Sequence, residues 1–176
     1  MYGAKMDATS LRALQAPLKA KYGEDPGAAL ITLRAKGVLG EGAIACKVDT
    51  GRALVEAGLH PATGGSGAQA CSGDMLLEAL AACAGVTLAA VATALEFRLQ
   101  GGTVEAEGDL DFRGTLGVDR SAPVGFHEIR LAFVLDTDEP ADRIATLLRL
   151  TERYCVVLQT LRVPPQITAS AASRAR

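Results

Sequence analysis

The residues in this sequence best suited to covalent or redox chemistry are its four cysteines, Cys46, Cys71, Cys83 and Cys155, because a thiolate is both a nucleophile and an electron donor. No interval between them is a CxxC step, and the two histidines, His60 and His127, lie far apart with no HExxH motif around either. A structural zinc site, and metal in general, is therefore not expected. In a reducing compartment cysteines are more often free thiols or redox groups than structural bridges. Packing is the competing role for each, since an uncharged cysteine behaves as a small buried hydrophobe. Cys83 stands in LAACAG within a long apolar run, and Cys155 stands in ERYC where a helix begins.

The elements that must position these thiols can be read from periodicity. HPATGGSGAQACSG, residues 60–73, is a Gly-rich loop without periodicity, and a loop of that length in a compact domain is often functional. From Gly73 the chain enters GDMLLEALAACAGVTLAAVATALEF, with 17 uncharged residues between Glu78 and Glu96. A helix without a wet face must be covered on all sides. It reaches the lower length limit for a membrane span, but it is rich in alanine, flanked by glutamates and unaccompanied by a second span, so a membrane is not expected. A domain this small can hardly wrap such a helix alone, which predicts a homodimer with the helix near the interface.

Around this helix, Leu11, Leu14 and Leu18 mark a short amphipathic helix within an N-terminal extension, residues 1–27. Ala28–Gly37, Ala43–Val48 and Arg52–Leu59 read as three strands of an antiparallel meander, the last two joined at Asp49-Thr50-Gly51. Gly102–Arg113 and Phe126–Asp136 alternate with period two. Pro140 opens a helix that runs through Glu152, a short helix or turn follows from Cys155 to Leu161, Pro164 and Pro165 end it, and a last strand starts at Gln166 before a frayed tail, residues 171–176. The whole reads as one α+β domain over residues 1–176.

With 176 residues, 49% of them hydrophobic, the chain can bury a core without staples. Its 18 basic and 20 acidic residues give a net charge of -2, which offers no footprint for nucleic acid or an anionic membrane. The N-terminal stretch has no continuous apolar segment of the secretory kind, so the cytoplasm is the expected location.

The Gly-rich loop, then SGDMLLEALAAC on the apolar helix, then ERYCVVLQTL 72 residues after Cys83, resembles the OsmC/Ohr family of organic hydroperoxide reductases. The likeness runs from about Ala28 to Ser170. It implies an OsmC-like α+β fold, with antiparallel sheets wrapped around a long central helix and an intertwined homodimer whose active sites form at the subunit interface. By position, Cys83 resembles the peroxidatic cysteine and Cys155 the resolving one. The resemblance implies reduction of a small-molecule hydroperoxide to an alcohol with a dithiol as reductant, either a lipoylated or thioredoxin-like protein or a small dithiol, and no cofactor.

A cysteine on an apolar helix needs a cation or hydrogen-bond donors to ionise. The family uses an arginine held by a glutamate, and the candidates are Arg52, with Arg34 as a second choice, and Asp74 in the first turn of the long helix, where relatives commonly show glutamate at a neighbouring position. An ordinary strand arginine and a dipole-favoured first-turn aspartate are the competing roles. His60 and Cys71 flank the Gly-rich loop and are read as bystanders. Relatives often carry proline directly after the second cysteine, where this chain has Val156. Two other functions stay open: a non-catalytic OsmC-like protein that binds a small hydrophobic molecule at the dimer interface, and acyl transfer or hydrolysis at a reactive Cys83.

Overall fold

The structure is a computed structural model that describes residues 7–24, 36–39, 45–49 and 54–173. Helix α1, Ala8–Glu24, comes first, followed by strands β1, Lys36–Leu39, β2, Ala45–Asp49, and β3, Leu54–Gly58. These three strands form the expected antiparallel meander, with Lys36 opposite Asp49 and Asp49 opposite Leu54. The early part of the first expected strand and the Thr50-Gly51 turn lie outside the described residues.

A fourth strand, β4, Ala70–Cys71, was not expected. It pairs with β3 in the parallel sense, Gly58 opposite Cys71, after the chain has doubled back through a short 3-10 turn at Pro61–Thr63. Two residues are too few for a periodicity signal, but this pairing pins the start of the next helix to the sheet. That helix, α2, Ser72–Ala94, has Cys71 as its N-cap and Asp74 in its first turn.

A second sheet consists of β5, Gly101–Leu110, and β6, Phe126–Asp136, paired antiparallel from Gly101 opposite Asp136 onward. The first of these strands was expected to continue to Arg113. It stops at Leu110 because the Asp111 side chain accepts the Arg113 backbone N–H at 3.0 Å and caps a one-turn helix, α3, Phe112–Thr115. Alternation divides the sheet. Val104, Ala106, Ile129, Leu131 and Phe133 face the core, while Arg130 lies on the exposed side among Glu107, Asp109 and Glu128.

Helices α4, Ala141–Tyr154, and α5, Val156–Arg162, follow, the first with Pro140 as its N-cap. The expected strand from Gln166 is absent: residues 163–173 have no regular structure. Pro164 and Pro165 cannot donate to a ladder, and the stretch after them lies exposed and pairs with no described strand. Of the expected frayed tail, residues 174–176 lie outside the described residues.

Helix α2 is long and apolar enough to cross a membrane, yet it is the core helix of this fold. Leu80, Ala84, Leu88 and Ala92, spaced four apart, form a buried stripe against β5, α4 and α5. The expectation of cover on every side is not met within one chain. Val86, for instance, is 73% exposed, because a two-stranded sheet and two helices can surround only part of a helix's circumference.

Two clusters divide the core along α2. Toward its C-terminal end, Leu88, Ala92, Phe97 and Leu147 pack with Ile144, Leu148 and Leu135. Beside them the Glu139 carboxylate, its side chain 3% exposed, accepts the Arg98 backbone N–H at 2.9 Å and Arg143 Nη1 at 2.7 Å, while Arg143 Nη2 donates to the Leu95 carbonyl at 2.9 Å. This clamp ties the end of α2 to the start of α4. The other cluster contains Leu80, Ala84 and Cys155, with Cys83 against it.

Candidate active site

Cys83 reaches the site on the middle of α2, and Cys155 reaches it at an elbow between two helices. At Cys155 the backbone turns extended, φ -71° and ψ 108°, so that α4 ends and α5 begins on the same residue. Its N–H donates to the Thr151 carbonyl at 2.9 Å and its carbonyl accepts the Gln159 N–H at 2.9 Å. The elbow is braced from α4: the Glu152 carbonyl accepts Gln159 Nε2 at 2.7 Å, and the Glu152 carboxylate accepts Arg162 Nη2 at 2.8 Å. The bend folds α5 back over α2 and aims its free N-terminal amides at Cys83.

Cys83 packs against the apolar cluster that holds Cys155, and each thiol shifts the ionisation of the other. Burial works to raise the Cys83 pKa, since it disfavours the charged form, but it is outweighed. The Val157 N–H, the Cys155 thiol, the Val156 N–H and the Thr87 hydroxyl all serve the sulfur, and together they hold the Cys83 thiol below the ordinary cysteine range. Cys155 goes the other way. Burial pushes its thiol up, against the pull of the Leu158 amide, and the hydrogen bond and charge of Cys83 add to the rise. Of two adjacent thiols, one is thus poised to ionise first while the other remains a donor.

The sequence leaves these donors almost invisible, because a backbone amide belongs to every residue but proline. Only two signals were available. Val156 stands where relatives often have proline, so it supplies an N–H that proline lacks. Thr87 lies four residues after Cys83, on the same helix face.

Of the other expected site residues, Asp74 does not join the pair within one chain. Asp74 is exposed in the first turn of α2, nine residues before Cys83, which places it about 13 Å along the axis and on the opposite face. Arg52 and Arg34 lie outside the described residues, as does the side chain of Cys46. His60 caps the 3-10 turn, with Nδ1 accepting the Ala62 N–H at 3.1 Å, and stacks on Phe112 at 4.8 Å. His60 and Cys71 both line a cavity of about 400 Å³ at the N-terminal end of α2. Among the described residues, no three His, Cys, Asp or Glu side chains cluster as metal ligands.

A further cavity of about 230 Å³ lies under α5, lined by Leu80, Ile129, Leu131, Phe133, Leu158 and Leu161, with Glu152 and Arg162 at its rim. Neither cysteine lines it, although Leu80 and Leu158 are each three residues from one of them.

A long helix carrying one cysteine against a second at a helix elbow, flanked by two small sheets, defines the class: an α+β protein with a paired-thiol site on its central helix. Residues 65–170, well over half of the chain, match the family model described as OsmC-like protein, and the chain belongs to that family. Solved structures share the fold at low sequence identity. An OsmC-like protein from Mycoplasma pneumoniae is 18% identical with a TM-score of 0.63, covering 76% of this chain and 89% of that one. An organic hydroperoxide resistance protein from Elizabethkingia anophelis is 18% identical with a TM-score of 0.60, covering 77% and 91%. An OsmC-like protein of unknown function from Vibrio cholerae is 14% identical with a TM-score of 0.60, covering 74% and 94%. Among curated proteins, none matches.

Proposed function

We propose that the chain is a thiol peroxidase that reduces organic hydroperoxides to alcohols, with Cys83 as the attacking thiol and Cys155 as the resolving one. The observation that carries this reading is the packing of Cys83 against the cluster that buries Cys155, with Cys83 held below and Cys155 above the ordinary thiol range. The Cys83 thiolate attacks the terminal peroxide oxygen; the O–O bond breaks, the departing alkoxide takes up a proton to become the alcohol, and Cys83 is left as a sulfenic acid. The Cys155 sulfur attacks that sulfenic sulfur, and hydroxide leaves as water once protonated. The resulting disulfide is short of the two electrons given to the peroxide. A dithiol, free or borne by a lipoylated or thioredoxin-like protein, returns them by two exchanges.

Two features of the molecule support the rest of the reading. The hydrocarbon around the pair, Leu80, Ala84, Val104 and Leu131 among it, favours an organic over an inorganic peroxide. The uncovered faces of α2 and α5, with Val86 and Val156 each at least 70% exposed, suit a second copy of the chain. A cysteine pair that must be returned to the dithiol form after each turnover suits a reducing compartment such as the cytoplasm.

Peroxide consumption with dihydrolipoamide as reductant tests the reading. Cys83→Ser is expected to abolish turnover of cumene hydroperoxide, and Cys155→Ser to remove recycling through an intramolecular disulfide. Turnover that survives in Cys83→Ser overturns the assignment. The apolar cavity under α5 favours one second reading, a non-catalytic protein that holds a small hydrophobic molecule. Intact mass after one equivalent of peroxide separates the two, since only the peroxidase loses two hydrogen atoms in forming its disulfide.

A further inference from the structure

The cavity under α5 has an apolar floor and a charged mouth. Leu80, Ile129, Leu131, Phe133, Leu158 and Leu161 line its interior, and Glu152 and Arg162 stand at its opening. The same two residues also line a cleft on the outer side of α4 and α5, together with Arg149 and Arg153, so cavity and cleft meet at the Glu152–Arg162 pair. Three arginines thus surround one glutamate there, in a protein whose net charge is -2. Arg162 reaches the Glu152 carboxylate through Nη2 at 2.8 Å, which leaves most of its N–H donors without an acceptor among the described residues. Arg153 lies over the Tyr154 ring, 5.5 Å from its centre. Arg149 has no ion-pair partner among the described residues. The helix dipole favours cations in a last turn, which accounts for Arg153 and Arg162 but not for Arg149, a turn earlier in α4.

We propose that this cavity and its rim are a binding site for a medium-chain fatty acid, with the alkyl tail under α5 and the carboxylate on Arg162, supported by the charges of Arg149 and Arg153. The planar guanidinium fork matches a carboxylate. Because the head group stays at the rim, where the three arginines are exposed, its charge is not carried into the apolar floor. The size of the interior sets the length of the tail. A dry apolar cavity of about 150 Å³ holds benzene, so the 230 Å³ here suits a chain of roughly eight carbons. Neither cysteine lines the cavity, so the site goes beyond the peroxidase reading and stands with or without it.

The test is calorimetric titration of the full chain at pH 7 with octanoate, octanol and octyltrimethylammonium. Octanoate is expected to bind about tenfold more tightly than octanol, and the cation to give no binding. Butanoate should bind about a hundredfold more weakly than octanoate, since each CH2 left out costs roughly fourfold in affinity. Arg162→Gln should weaken octanoate about tenfold and leave octanol unchanged, while Leu161→Trp, which fills the cavity, should abolish binding of both. Arg162 is exposed, so its variant keeps the test decisive should Leu161→Trp not fold. Equal affinities for octanoate and octanol overturn the proposal, and so does an Arg162→Gln variant that binds octanoate as tightly as the parent. Saturating octanoate should also leave in place the pH profile of Cys83 alkylation by iodoacetamide, read by mass spectrometry; protection of Cys83 would put the ligand at the thiols and overturn the site. None of these readouts depends on peroxide turnover, so octanoate binding in a protein that consumes no peroxide removes the peroxidase reading and leaves this site standing.

Discussion

The two clusters along α2 are built on one helix stripe with contrasting contents. Around Leu88, Ala92, Phe97 and Leu147 the interior is hydrocarbon, and polarity is confined to the Glu139 clamp at its edge. Around Leu80 and Ala84 the same stripe meets two thiols and a set of inward-pointing donors. The first arrangement spends burial on cohesion. The second uses it to make a few hydrogen bonds decide which sulfur ionises, because donors act more strongly on a charge once water is excluded. What the contrast teaches is that the apolar run in the sequence is two environments, and among the described residues it is the half beside the elbow that brings two thiols together.

If that division holds, damage to one cluster should leave the other's signature intact. Leu147→Ala, at a site with no exposed surface, should cost about 2–5 kcal/mol of stability in denaturant unfolding, while the Cys83 alkylation profile stays in place. Glu139→Gln should lower the thermal midpoint at pH 7. The Arg98 backbone N–H first, then the Arg143 and Arg98 guanidinium groups, hold the Glu139 carboxyl below the usual range. Its contribution is therefore present above the unfolded carboxylate value, about 4.3, and is lost as pH falls through the lower folded one. The gap in thermal midpoint between parent and variant should close in acid, and a gap that persists there contradicts the clamp. The smallest effect belongs to the other cluster: Val156→Pro should slow Cys83 alkylation about threefold at pH 7 by removing one amide donor. Proline suits the first position of α5, and Cys155 before it is already extended, so the fold should accept the change.

Much of this organisation was legible in the sequence. The gap without charge between Glu78 and Glu96 marked α2, period-two alternation marked β5 and β6, and Ile144, Leu147, Leu148 and Thr151 marked the buried side of α4. The order of the Gly-rich loop, Cys83 and the ERYC segment was enough to suggest the family. Features made by a few residues were lost: β4 has two, α3 has four and hangs on one aspartate side chain. The strand expected from Gln166 failed because a pattern can name a strand former but not the neighbour it must pair with. The electrostatics of Cys83 were hardest to read. Sequence reasoning looked for a cation, Arg52 held by Asp74, whereas the described groups that act on the sulfur are two amides and a thiol brought round by an elbow and one hydroxyl from its own helix.

The elbow also fixes which way traffic can run. Cys155 has no accessible surface, sealed behind α2 and its own two helices, whereas Cys83 keeps part of its surface open. Once the pair were oxidised, an incoming thiol would meet only the outer sulfur, forming a mixed disulfide with Cys83 and expelling Cys155 inward. The inner cysteine would then act as a leaving group that never needs to see the reductant, and opening the elbow would matter only for unfolding.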